Sequence, residues 1–474
     1  MHLAVIKKKR NVIKKKENMA NSPKTIYSHT FIVGRLASSP NPEDLDKKSW
    51  IHVVGSKEKY NEISAKYYSA LIDSMQEYEG QKNRPDFLKC VCQYQLPLQT
   101  IENPKGVPLS LHLYDRDYPC TICNVRLHFF PYGFVFFSIE IEDSGNELND
   151  LTLMHSWWKD WNFNYSNFTT DEFNRLLEPL LDLLPLAEED EESCENGGKR
   201  RKKIFTYKGT KARMYQIVKT DDTEVRDDLL YEIATFMPIG VVKHSEELPP
   251  KKRDLKPSKS YLDKMMENSS VSAFDNWKAL ALNDSFTVLG CGENFNPYPH
   301  ESYYFPLLYM RCFFEEFFCF DRNNRYRTDI DGKIDSDVEK QLEEIQNMDR
   351  YYFYDDVSFD FLPSMLHRAI AKGMELYTDR DELMGHIKDS LDEEKRRMAE
   401  DRRRRNDTTL IAVKILASIS VFISVFNLIT GVWNGVNRVC LAWVTIVLSV
   451  VGVYLMFAYS KYWFPFNWTK NRKQ

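Results

Sequence analysis

Four cysteines offer the first candidate chemistry. Cys90 and Cys92 stand two apart, and Cys120 and Cys123 three apart. Four thiolates can hold zinc tetrahedrally. The Cys-x-Cys spacing also puts two thiols on one face of an apparent strand, where they would be structural. A second candidate is the basic run Lys199-Arg200-Arg201-Lys202-Lys203, directly after two glycines. Guanidinium groups beside pliable backbone can grip phosphate. The alternative is a solvated run that balances the acidic residues before it. A third candidate is polar and helical: Ser420, Ser424, Asn427 and Gly431 are spaced four, three and four apart, so they share a helix face. Lys414 and Ala417 extend that stripe. Read as a pore wall, the stripe requires a ring of identical copies. Read otherwise, it packs two helices through small residues, with Asn427 as a hydrogen bond and Lys414 extending to an interface. "GCGENFNPYPHE" has neither phosphate-loop nor nucleophile spacing and is read as a loop. "DRNNRYRTDIDGKIDSD" alternates aspartates around a glycine, but not at the offsets of a calcium loop. No Ser/His/Asp or Cys/His arrangement stands out, so no enzyme is expected.

The elements that must position these residues follow from composition and pattern. The 474 residues carry a net charge of −5 and are 14% aromatic, with nine irregularly spaced cysteines. Mean hydropathy is −0.48, so membrane-embedded chain can be only a minor part. The charge balance gives no nucleic-acid signal, and direct DNA or RNA binding is not expected. Residues 1–24 form a basic arm, with Met19 an alternative start. Residues 25–335 are expected to be an α/β sensor domain with loops near 187–203 and 247–260. Within it, "NVRLHFFPYGFVFFSIEIED" predicts a hairpin turning at Pro131-Tyr132-Gly133. Residues 336–408 predict a helical bundle and stalk: Val338, Leu342, Ile345 and Met348 recur at helical spacing, then Leu366, Ile370 and Met374. Met384, Ile387, Leu391 and Met398 follow a heptad seam. No proline interrupts residues 364–464, so one helix can run from near Pro363 to Thr430. Two apolar runs close the chain. The expectation is a transmembrane helix at 409–433, an outer loop at 434–438, a second helix at 439–460 and a basic tail at 461–474. Arg402–Arg405 and the basic tail place both ends in the cytoplasm of an inner-membrane, two-span protein.

This plan resembles the CorA-type magnesium channel family: an α/β domain, a long helix entering the first span, a short loop, a second span and a basic tail. The resemblance covers the C-terminal hundred residues by architecture. It implies a homopentamer lined by the first span and Mg²⁺ as a regulatory ion held by acidic residues between subunits. The family's Gly-Met-Asn signature has its nearest counterpart in Gly435-Val436-Asn437, where Asn437 would take the ion-selecting place. The substituted signature and enlarged N-terminal domain are similar to the CorA-like membrane effectors of type III CRISPR systems. That similarity implies gating by a nucleotide second messenger, of the S-adenosylmethionine–AMP type, in antiviral defence. The alternatives are a divalent-cation transporter and a non-conducting, membrane-anchored binding or scaffold protein.

Overall fold

The computed structural model describes residues 24–36, 39–45, 49–81, 84–101, 103–113, 116–143, 147–159, 176–177, 179–180, 183, 212–240, 257–328 and 338–432. The chain divides into two units, Met1–Ile387 and Lys388–Gln474.

Proline and glycine set the first unit's longest hairpin. β5 (Arg116–Phe129) and β6 (Val135–Asp143) pair antiparallel, and Pro131–Gly133 makes the turn as expected. Tyr132 and Gly133 both adopt positive φ there. The hairpin belongs to a ten-stranded mixed sheet that also contains β1 (Thr25–Arg35), β2 (Ile51–Val53), β3 (Cys92–Gln95), β4 (Val107–Leu113), β7 (Arg213–Thr220), β8 (Ser270–Phe274), β9 (Trp277–Ala281) and β10 (Ser285–Cys291). Their order is β2-β3-β5-β6-β1-β7-β10-β9-β8, with β4 also paired to β5, along Arg116–Ile122. Only β7 and β10 pair in parallel among the named strands.

Short helices α1 (Pro42–Leu45), α2 (Lys57–Ser64), α3 (Ser69–Met75) and α6 (Lys259–Ser269) lie between strands, and alternation along β1 feeds two different layers. Ile32, opposite Ile139 and Met214, faces one core with Leu151 and Met154 of α4 (Leu148–Lys159) and Leu229 and Ile233 of α5 (Asp227–Ala234). Phe31, opposite Glu140 and Tyr215, faces the other side. There it stacks on Phe305, ring centroids 3.8 Å apart. Phe305 belongs to a π-helical segment, His300–Tyr309, that continues into α7 (Met310–Thr328). Pro306 lies inside that segment. It lacks an N–H and its ring collides with the carbonyl four residues back, so the wider π turn relieves a clash that an α turn would create.

Helical periodicity holds further on. α8 (Val338–Tyr351) and α9 (Phe361–Gly373) form as expected, with Leu366, Ile370 and Met374 buried. One uninterrupted helix from Pro363 does not form. Met374 and Glu375 break it, Glu375 at φ 57°, before α10 (Leu376–Val432) begins.

The expected transmembrane hairpin is overturned. Among the described residues, no helix is long and apolar enough to cross a membrane. α10 is mostly charged up to Asp407, and its apolar end is interrupted by Lys414, Ser420, Ser424 and Asn427. Polar side chains within a span cost free energy unless they reach the interface or find partners. The inner-membrane location rested on that hairpin and falls with it. The run at 439–460 lies outside the described residues.

Candidate functional site

The loop between β10 and the π segment builds one wall of an open cleft. Asn294, Asn296, Pro299 and His300 line it, with Phe274 at the end of β8, Asn276 in the turn, Trp277 at the start of β9, Tyr304 and Leu362. Its volume is about 250 Å³. The wall is positioned by a close approach: Phe295 packs against Gly290, where a side chain's first carbon would lie 2.3 Å from the ring. Asn296 Oδ1 accepts from Tyr298 N at 3.1 Å and shapes the turn. His300 sits at the cleft floor, edge-on to Trp277 and Tyr304 at 5.0 Å each. Its Nδ1 lies 3.3 Å from the Tyr215 hydroxyl. Burial drives its pKa down to about 3, so the ring is neutral. The lining thus offers aromatic faces, three carboxamides and no formal charge.

One residue further along, Glu301 points to a charged centre on the sheet. Tyr27 donates to Glu301 Oε1, and its oxygen lies 2.7 Å from His29 Nδ1. His29 Nδ1 is 3.3 Å from Glu301 Oε1, and its Nε2 is 2.9 Å from Glu140 Oε1. Asn124 Nδ2 donates to Glu140 Oε2 at 2.8 Å. The imidazole stacks on Phe31, centroids 4.9 Å apart. Burial alone would lower the pKa of His29, but Glu140 and Glu301 outweigh it and hold it up at about 9. Burial would raise the Glu140 carboxyl, and the His29 imidazolium outweighs that and holds it below its usual range. His29 is therefore an imidazolium between two carboxylates. With each ring nitrogen at ion-pair distance from a carboxylate, it is placed to hold charge rather than to shuttle protons to a substrate.

No protein-family model, curated protein or solved structure matches the chain.

The cysteine candidates are separated. Cys92 opposes Phe129, whereas Cys120 opposes Leu109 nine residues back along β5, roughly 30 Å away. Burial pushes the Cys120 and Cys123 thiols up to about 12, which keeps them protonated. Cys90 is exposed, its Sγ 3.3 Å from the Phe87 carbonyl oxygen. Among the described residues, no group of three or more His, Cys, Asp or Glu side chains could hold a metal ion. Lys414, Ser420, Ser424, Asn427 and Gly431 lie in α10. Lys199, Arg200, Arg201, Gly435, Val436 and Asn437 lie outside the described residues, as do Asp329–Asp337 of the aspartate-rich run. "GCGENFNPYPHE" is indeed largely a loop, but it lines the cleft. Asn294 and Asn296, the second directly before Pro297, were the available signal. Tyr27, His29, Glu140 and Glu301 were not singled out by spacing, because strand pairing and the π segment bring them together.

Proposed function

We propose that this chain is a ligand-controlled regulatory protein whose cleft takes the base of a nucleotide second messenger. The supporting observation is the convergence of Trp277 and Tyr304 with Asn276, Asn294 and Asn296 around one uncharged opening. Aromatic faces suit the π-surface of a base, and carboxamides offer paired donors and acceptors to its edge. The volume lies below the usual range for drug-sized ligands and fits one ring system. The open side leaves charged phosphates in water, where an uncharged lining would not have to compensate them. A messenger of the S-adenosylmethionine–AMP type belongs to this class, and control of several assembled copies in antiviral defence is the role we assign.

Titration calorimetry with adenosine, guanosine, their monophosphates and an S-adenosylmethionine–AMP conjugate tests the reading. Loss of one base-stacking partner costs about 1–3 kcal/mol. Trp277→Ala should therefore weaken binding by roughly 5–150-fold, and Asn294→Ala should change the preference among bases. If none of the panel binds, or if Trp277→Ala binds as the unaltered chain does, the reading is wrong.

A further inference from the structure

The cleft and the charged centre share one peptide bond: His300 lines the first and Glu301 enters the second. We propose that Tyr27, His29 and Glu140 form a proton-controlled latch on Glu301, closed while His29 is protonated and released when it is not. This rests on the cleft being the binding site only insofar as a ligand would feel the latch.

The argument is one of valence. An imidazolium carries two N–H donors and can serve Glu140 and Glu301 together. A neutral imidazole carries one N–H and one lone pair. With its proton on Nε2 it keeps Glu140, which is also held by Asn124 and lies in the field of Arg126. Nδ1 then turns a lone pair toward Glu301 Oε1. Tyr27 has a single hydroxyl proton, its oxygen lies 2.7 Å from Nδ1, and it cannot donate to both. Glu301 has the longer contact to the ring and is the more exposed carboxylate, at 22% against 16%. It is the group that leaves.

The other charged groups around the centre do not take over this role. Glu142, on β6, acts electrostatically on Tyr27 and is paired with Lys105 at 3.1 Å. Cys123 on β5 lies near Tyr27 with its thiol protonated, and Lys219 on β7 stands across from Tyr27. Release frees the first turn of the π segment. That turn rests on bonds from His300 N and Glu301 N to the Pro297 carbonyl, 2.9 and 3.3 Å long. Its loosening disturbs His300 and Tyr304, two residues of the cleft.

Hydrogen–deuterium exchange on the ligand-free full chain tests the latch without a ligand. Protection factors, corrected for intrinsic rates, are compared for peptides covering 297–305 at about pH 6.5 and about pH 9.5, on either side of the transition. The unaltered chain should lose about tenfold protection there and keep it in β5 and β6. His29→Gln and Glu301→Gln should each remove the pH dependence, the second by making the leaving group neutral. Equal protection at both pH values, or an equal fall in a folded variant, overturns the latch. A second arm titrates adenosine monophosphate at both pH values. Binding that weakens on raising the pH, by up to about tenfold per pH unit, supports it. Binding with no pH dependence overturns it. Absence of binding beside a pH-dependent exchange rejects the cleft reading and leaves the latch standing.

Discussion

At the scale of single residues, the stability of the fold is tied to one imidazole. His29 binds its proton more tightly folded than unfolded, so its contribution is fully present below about pH 6.5 and is lost as pH rises through about 9. That contribution amounts to roughly 3 kcal/mol. Glu140 has the opposite sign: its share is present above its ordinary pKa and is lost as pH falls through the lowered folded value. Urea midpoints of the unaltered chain should therefore decline between about pH 6.5 and about pH 9.5, whereas His29→Gln should be weaker at the lower pH and flat across the range. A midpoint that does not move in the unaltered chain would contradict the charge state assigned to His29. None of this was legible from spacing. Tyr27 and His29 show as alternate positions of a strand, but Glu140 lies 111 residues from His29 and Glu301 lies 161 beyond Glu140. Only sheet register and a helix crossing join them.

At the scale of elements, local pattern was legible where one signal dominated. The Pro-Tyr-Gly turn between two alternating strands gave a hairpin, and 3–4 spacing gave α8 and α9. The π segment was not legible. "YYFPLLYM" is apolar on all sides because it is buried on most of them, so it carries no period from which a helix type can be read. The α9–α10 break was missed for a related reason. The sequence lacks a proline there, but Glu375 takes the left-handed turn that glycine usually fills. Glu375 is exposed, so its side chain gives little in return. Glu375→Gly should remove a steric penalty of about 1 kcal/mol and raise the thermal midpoint, whereas Glu375→Val should lower it. Scanning calorimetry distinguishes the two. A lower midpoint for the glycine variant would mean that the turn is not held as described.

At the scale of the whole molecule, α10 carries an apolar row with no cover among the described residues. Ile415, Ile419, Phe422 and Phe426 are each roughly half exposed and spaced four, three and four apart. Ile419 and Phe426 stand three and four heptads beyond Met398, so they continue the seam that starts at Met384. Copies of the same helix satisfy such a row, and the chain is expected to sediment as an assembly. Phe422→Asp with Phe426→Asp should shift it toward the monomer in sedimentation velocity. An unchanged sedimentation coefficient would place the contacts between copies elsewhere. The sheet order also has a consequence for synthesis. β1 is the earliest strand, yet it lies mid-sheet between β6 and β7. Its register with β7 joins Val33 to Arg213, a separation of roughly 180 residues. At about 5–20 residues per second, ribosomes need roughly 10–40 s to make that partner. Throughout that interval a strand with Phe31, Ile32 and Val33 at its centre has an open edge. The nascent strand is thus open to pairing with other chains, and faster translation of residues 36–212 would shorten its exposure.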